Sequence, residues 1–239
     1  MRAYLISEPN LDIREFERFI SEENLLAGNS YFVEPLTSAE TLVEICGRLC
    51  YMSYGKGRKT TKEFIQNIIA AKHFSVLEHA NWTFIFTGIS RSCSHELVRH
   101  RHFSFSQLSQ RYVDESEVKM VYPSVIDEDE LLNEVASYSM AYAKGAYVDL
   151  VRILEERMVD SNMSTTEKRK FVRQAARCIL PNATETKIAV TGNARAWREF
   201  IQKRDSAQAD PEIRELAQTV LARLLEAAPI LFSDLEDEE

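Results

Sequence analysis

Helical patterns dominate the second half of the chain, and this uneven order of elements most limits the fold. Residues 127–158 read as one long helix. A second helix should begin at Ser164–Glu167, which has the form of a capping box, and should stop before Pro181. A β-favouring stretch and two further helical patterns follow, at Thr184–Thr191, Asn193–Lys203 and Pro211–Ala228.

The first half of the chain mixes strand and helix patterns. Asn81–Thr87 alternates between polar and apolar residues, is rich in aromatic side chains and ends at Gly88, as is typical of a strand. The remaining patterns are a strand at Met1–Ile6 and helices at Thr41–Cys50, Thr61–Ala71 and Ser90–His100.

Strands and helices do not alternate regularly, which argues against a Rossmann or TIM fold. We therefore expect an α+β fold: a single domain over residues 1–239, with a modest mixed or antiparallel sheet packed with helices and a helix-rich C-terminal half. The acidic end, Asp234–Glu239, should be a frayed and solvated tail.

The amino-acid composition excludes or disfavours several classes of function. Glycine is scarce, with 7 of 239 residues, and no glycine-rich phosphate loop is present. The net charge of −8 makes nucleic acid a poor default partner, because its binding rests on neutralising phosphates. The four cysteines form no CxxC pair, and we find neither a signal peptide nor a long apolar run. We expect a cytoplasmic protein that does not enter a membrane.

A basic segment interrupts this acidic chain. From Arg91 to Arg111 there are four arginines and one acid, a local charge of +3. At helical spacing Arg91, His95 and Arg99 form a cationic stripe, followed by a stretch dense in hydroxyl and amide groups. Such a basic recess would attract a phosphorylated small molecule. The apolar stripe at the same spacing, expected to face the core, is Ile89, Cys93 and Leu97.

Other functions remain open for these residues. His95 and His100 are five residues apart, about 140° around a helix, and the flanking arginines would oppose a dication, so we expect no metal. A nucleophilic Cys93 or Ser109 with a histidine base would be compatible with the composition, but no spacing selects it. A non-catalytic nucleotide- or RNA-binding protein would use the same recess.

One motif in this segment carries a family resemblance. Arg99–Arg111 matches RHRxxSxxxxSxR, and the chain thereby resembles the flavin-dependent thymidylate synthases. The resemblance covers about residues 46–217. Three supporting segments occur in the family's order: His73–His79, Arg177–Pro181, and Thr191–Arg195 followed by Arg204.

The resemblance implies a function, cofactors and an assembly. It implies methylation of dUMP to dTMP, with methylenetetrahydrofolate as carbon donor, NADPH as reductant and hydride delivery from reduced FAD. It also implies a homotetramer whose subunits share active sites. FAD would be held by arginine and amide side chains, which fits the shortage of glycine.

The same resemblance assigns site residues, with Arg204 as the catalytic residue at the N3/O2 edge of uracil. Two positions depart from the family pattern. Many members have Asn at the position of Ser106, and members often have His or Asn at the position of Glu199. The expected cofactor-binding residues are Ser75, Glu78, Arg99, His100, Arg101, Gln107, Asn193, Arg195 and Glu199. The expected substrate-binding residues are Arg91, Glu96, Arg99, Gln107, Leu108, Ser109, Gln110, Arg111, Arg177 and Arg204.

The chemistry gives a reason for an arginine at the pyrimidine. Uracil C5 is a poor nucleophile, and a cation that keeps its proton can stabilise negative charge across N3 and O2. Ser109 is then a phosphate- or nucleotide-binding residue rather than a nucleophile. Trp82 and Trp197 are expected in the core.

Overall fold

The structure, a computed structural model, describes residues 1–25, 36–54, 56, 60–159 and 161–236. It has the predicted α+β class, with a small antiparallel sheet and a helix-rich C-terminal half. The described residues group into two compact units, which are taken separately below. The first unit holds Met1–Arg2, Phe86–Arg99 and Phe105–Ala189, and the second holds the described parts of Ala3–Ile85, His100–Ser104 and Val190–Glu239.

The sheet has four strands: β1 (Arg2–Ser7), β2 (Asn81–Ser90), β3 (Ser104–Gln107) and β4 (Glu185–Asn193), in the order β1-β2-β4-β3. The alternation in β2 produces the predicted strand, because Trp82, Phe84 and Phe86 all lie on its fully buried face. The strand continues past Gly88, which has a positive φ of 68°. Its end at Ser90 lies two residues beyond Gly88.

Helices make up most of the rest of the described chain. Short 3₁₀ helices occur at Phe74–His79, Arg177–Ile179 and Ser233–Leu235. No helix among the described residues is long and apolar enough to cross a membrane, and the cytoplasmic location stays a prediction. The α-helices are α1 (Ile13–Glu22), α2 (Ser38–Leu49), α3 (Thr61–Ala70), α4 (Arg91–Leu97), α5 (Ser124–Asp127), α6 (Glu130–Arg157), α7 (Thr165–Ala176), α8 (Ala194–Arg204), α9 (Pro211–Ala227) and α10 (Pro229–Phe232).

Side-chain caps set several of these boundaries. The predicted capping box is confirmed, because the Ser164 hydroxyl and the Glu167 carboxylate each accept from the other's backbone N–H. The single long helix predicted from residue 127 is wrong at its start, since α5 and α6 are separate. Asp129 breaks them apart by accepting a hydrogen bond from the N–H of Leu132 at 2.9 Å, which begins α6.

The acidic end is more ordered than the sequence predicts. Asp234 and Leu235 belong to a 3₁₀ helix, and Leu235 is buried. Both Asp234 carboxylate oxygens accept from the guanidinium of Arg198, at 2.7 and 2.5 Å. The predicted frayed tail is therefore wrong at these residues, whereas its last part, residues 237–239, lies outside the described chain.

The core of the second unit contains an aromatic cluster beside α8. Trp197 lies edge-on to Phe84, with ring centroids 5.1 Å apart, and Phe103 lies against Trp197 at 4.3 Å. Phe200 closes the cluster at 5.9 Å from Phe103. Trp82 and Trp197 are fully buried, which confirms their predicted place in the core.

Candidate active site

The basic segment of the first unit begins with a capped helix. Ser90 Oγ accepts from the N–H of Cys93 at 2.9 Å and starts α4. The predicted apolar stripe is confirmed as buried. The cationic stripe is wrong in one member, because α4 ends at Leu97 and Arg99 lies exposed in the following turn, where its N–H donates to the Glu96 carbonyl. Glu96 itself is half-buried in α4.

Arg91 is a half-buried cation whose surroundings contain both signs of charge. Its Nη1 donates to the Leu108 carbonyl at 3.4 Å. Burial lowers the pKa of the Arg91 guanidinium; the Glu115 carboxylate opposes this shift, and the charge of Arg177 adds to it. Arg177, also half-buried, caps the C-terminus of α7, so two of the predicted substrate-binding arginines, Arg91 and Arg177, belong to one electrostatic cluster.

The side-chain amide of Gln107, at the end of β3, makes two hydrogen bonds within the first unit. Its Nε2 donates to Ser94 Oγ at 2.8 Å and to Thr186 Oγ1 at 3.2 Å, and both hydroxyl residues are buried. The next residue, Leu108, donates its N–H to the Lys187 carbonyl at 2.8 Å. The Gln107 amide thus fixes the start of the predicted substrate-binding stretch.

The rest of that stretch turns back on itself. Arg111 N–H donates to Ser109 Oγ at 3.4 Å, and Gln110 is buried with 7% of its surface exposed. The Arg111 Nε is buried and has no hydrogen-bond partner among the described residues. A buried guanidinium N–H without a partner is costly, so this atom fits an anionic ligand.

Glu115 is a residue of this cluster that the sequence analysis missed. It is only 3% exposed, and its Oε1 has no hydrogen-bond partner within the described chain. Burial raises the pKa of Glu115; Arg91 opposes the shift, and Asp114 and Glu185 add to it. The sequence signal that could have identified Glu115 is its position just beyond a segment rich in arginine, because a buried acid is expected where cations are buried.

In the second unit, the catalytic candidate Arg204 contacts a histidine of the signature motif. Arg204 is the last residue of α8, and its Nε donates to His100 Nε2 at 3.0 Å. The pKa of His100 is lowered from 6.5 to about 4, mainly by burial and also by the charges of Arg204 and Lys203, whereas Glu199 opposes the shift. His100 is therefore neutral at physiological pH, beside an arginine that keeps its charge.

Three of the predicted flavin-binding residues, Asn193, Arg195 and Glu78, lie near the N-terminus of α8. Asn193 caps this helix by accepting from the Ala196 N–H at 2.9 Å. Arg195 Nη1 pairs with Glu78 at 2.7 Å, and both side chains are about half exposed. Arg101 is exposed in the turn after His100.

A cavity of about 420 Å³ brings two of the predicted cofactor-binding residues together. Ser75 and Arg195 both line it, along with the donor side chains of Lys72 and His73. Hydroxyl, guanidinium and ammonium donors in one cavity fit the phosphate groups of FAD, with no glycine loop required.

Glu199 is engaged within its own helix. Its carboxylate pairs with Lys203 one turn further along α8, and this hydrogen bond holds the pKa of Glu199 below its usual value. Glu199 is therefore ionised, and its contact with a flavin stays a prediction. The other departure from the family, Ser106, is exposed in β3.

The remaining histidines are exposed. Within the described residues, no group of three or more His, Cys, Asp or Glu side chains is arranged to hold a metal ion. The exposed histidines are His73, His79, His95 and His102.

Several known proteins are similar in sequence to this chain. A family profile described as "Thymidylate synthase complementing protein" matches residues 32–230. The chain is 52% identical over 198 residues to a flavin-dependent thymidylate synthase of Mycolicibacterium vanbaalenii, covering 82% of this chain and 79% of the relative. Proteins of the same name from Mycobacterium avium and Mycobacterium marinum are 50% and 48% identical, with 82% of this chain covered and 79% and 80% of theirs. This chain therefore belongs to the thymidylate synthase complementing protein family and is an enzyme of the flavin-dependent thymidylate synthase type.

Proposed function

We propose that this enzyme methylates dUMP to dTMP, with FAD as its flavin, methylenetetrahydrofolate as carbon donor and NADPH as reductant. The observation that carries the proposal is the identity of about half of the aligned residues with relatives named flavin-dependent thymidylate synthases. That similarity does not favour a non-catalytic nucleotide- or RNA-binding protein.

The first unit supplies the groups for the nucleotide phosphate. Arg91 and Arg177 lie in one electrostatic cluster, and the buried Arg111 Nε has no partner in the described structure. A phosphate accepts hydrogen bonds from guanidinium groups in well-defined directions, which supports these residues as its ligands. Ser109, whose Oγ accepts from the Arg111 N–H, helps to shape the stretch rather than attack the pyrimidine.

Arg204 acts on the pyrimidine ring in this proposal. Negative charge developing across N3 and O2 makes C5 more nucleophilic, and a guanidinium stabilises that charge without giving up a proton. Its hydrogen bond to His100 supports this role, because the neutral imidazole orients the guanidinium and adds no negative charge beside it.

Residues of the second unit would hold the flavin in this proposal. They are Ser75 and Arg195, which line one cavity, and Asn193 at the N-terminus of α8. When bound, FAD supplies the hydride that the transferred carbon needs to become a methyl group. The protein itself contributes binding, orientation and electrostatic stabilisation.

We also infer a homotetramer with shared active sites. On α6, Leu131, Val135, Tyr138 and Tyr142 recur at spacings of four, three and four residues, and each is at least 60% exposed. This spacing is typical of a helix that packs against another helix, and large exposed apolar patches commonly mark interfaces. A second copy of the chain is the occupant that we propose, and light scattering of the purified protein tests the assembly.

The substitution Arg204→Ala tests the function. Purified wild-type protein should bind FAD and form dTMP from dUMP when given methylenetetrahydrofolate and NADPH. Arg204→Ala should keep its flavin absorbance but lose about 100- to 1,000-fold in kcat, the usual cost of removing one transition-state donor. Arg223→Ala is the matched control, since Arg223 is exposed on α9 and pairs only with Glu226 among the contacts seen.

Two outcomes would contradict the proposal. A wild-type protein that takes up no flavin, or that binds it but forms no dTMP, would refute the function. A wild-type protein that forms dTMP while Arg204→Ala turns over at the same rate would refute only the role of Arg204.

A further inference from the structure

We infer that His100 is a positioning residue for Arg204: the imidazole accepts the Arg204 Nε–H and fixes the guanidinium while leaving its charge intact. The inference rests on the proposed role of Arg204 at the pyrimidine. It assigns His100 an action through another side chain, in addition to the flavin contact expected from the motif.

The hydrogen bond defines the protonation of the ring. An arginine side chain has five N–H donors and no acceptor, so the atom that receives the Arg204 Nε–H at 3.0 Å must carry a lone pair. His100 Nε2 is that atom. The ring must therefore be neutral, with its proton on Nδ1, and Nδ1–H is the donor that His100 would present to a flavin.

Packing holds the acceptor in place. The His100 ring lies edge-on to Phe200, with centroids 5.1 Å apart and an angle of 83° between the planes, and it also contacts Phe103 at 6.1 Å. Phe103 is in turn fixed against the fully buried Trp197. Because Phe200 and Arg204 both belong to α8, one helix sets the ring and the side chain that it holds.

The charged groups that face His100 keep it neutral. Arg204 and Lys203 of α8 disfavour the imidazolium, whereas Glu199 of the same helix favours it. Glu199 is already paired with Lys203, and it also faces His102. Burial and the two cations prevail, so the acceptor is present throughout the neutral pH range.

A neutral acceptor suits this position better than a carboxylate would. A carboxylate would orient the guanidinium but would cancel much of its charge, and that charge is what stabilises the pyrimidine anion. Arg195 and Arg198 of α8 do pair with carboxylates, those of Glu78 and Asp234. The acceptor of the Arg204 Nε–H is a ring that carries no charge.

Histidine NMR tests the geometry without turnover. In protein labelled with ¹⁵N-histidine, the His100 signals, identified by their loss in His100→Gln, should report a neutral Nδ1–H tautomer that titrates near pH 4. In Arg204→Met the Nε2 acceptor loses its donor, so the proton should move toward Nε2 and the pKa should rise. A wild-type His100 with its proton on Nε2, or one that titrates near 6.5, would overturn the inference.

Kinetics test the positioning role. His100→Leu should lower kcat by about 10- to 100-fold, the usual weight of one hydrogen bond to a charged group, with KM for dUMP nearly unchanged. His100→Gln places a carbonyl near the Nε2 position and should recover part of that loss. His102→Gln, an exposed change two residues away, is the matched control.

The two hypotheses fail in different ways. If wild-type protein forms no dTMP, the proposed function fails, whatever the NMR spectra report. If it forms dTMP and His100→Leu keeps the wild-type kcat, or if His100→Gln recovers nothing while both variants unfold at the wild-type temperature, the positioning role is wrong.

Discussion

Replacing Gly192 by alanine should destabilise the second unit through a single methyl group. A Cβ at Gly192 would lie 2.3 Å from Phe103 Cδ1 and 2.4 Å from its Cε1, far inside van der Waals contact. The Phe103 ring cannot simply swing away, because it packs against Trp197 at 4.3 Å and against Phe200 at 5.9 Å. The methyl group must therefore displace a ring inside a filled aromatic cluster.

The magnitude follows from two opposing effects. Overpacking a filled core costs about 1–3 kcal/mol. Gly192 does not have a positive φ, so alanine can adopt its backbone conformation and regains about 0.4–1 kcal/mol by restricting the unfolded chain. The net loss is about 1–2 kcal/mol in the free energy of unfolding, which for a chain of this size lowers Tm by about 2–8 °C.

Gly145→Ala provides a control of opposite sign. Gly145 lies inside α6, and a Cβ there meets nothing within 4 Å. Alanine should therefore stabilise the helix by about 0.5–1 kcal/mol. Differential scanning calorimetry of both variants, and of Gly192→Ala combined with Phe103→Leu, measures the effects. A Gly192→Ala protein as stable as wild type, or one that the smaller leucine fails to rescue, would refute the steric reasoning.

Two more predictions concern charge. The pKa of His100 is lowered from 6.5 to about 4, so the free energy of unfolding should decrease as pH falls from about 6.5 to about 4, because only the unfolded chain takes up a proton there. Denaturant titrations across this range should have a shallower pH slope for His100→Gln than for wild type. Asp234→Ala should cost about 1–3 kcal/mol, since it strips the carboxylate from the buried Arg198 guanidinium. Thermal melts measure this loss, and an unchanged Tm would show that the Leu231 carbonyl alone satisfies Arg198.

Local sequence signals predicted the elements whose boundaries depend on near neighbours. The capping box at Ser164 and the alternation in β2 act within a few residues, and both elements form where expected. The break before α6 was missed because periodicity runs through it, and only the cap by Asp129 interrupts the helix. β3 was missed for a different reason: a strand of four residues gains its hydrogen bonds from partners distant in sequence.

The candidate site likewise contains residues that local sequence motifs identify and contacts that only the fold creates. The motif named His100, and the later segment named Arg204, but their contact joins residues 104 positions apart in the chain. The family motif likewise assigned Gln107 to the ligand-binding residues, but it did not identify Ser94 and Thr186 as the buried partners of the Gln107 amide. Glu115 was missed because a buried acid is recognised by the cations around it, which only the fold brings together.

The arginines of α8 illustrate why composition alone could not assign their roles. Arg195, Arg198 and Arg204 share one helix and one chemistry, yet each has a different partner. Arg198 is 4% exposed and neutralised by Asp234, which makes it a structural anchor for the end of the chain. Arg195 is paired with Glu78 at the surface of a cavity. The Nε–H of Arg204 is oriented by an uncharged ring, which fixes the direction of the guanidinium and does not itself cancel its positive charge. Stabilisation of a pyrimidine anion requires both a fixed direction and a positive charge.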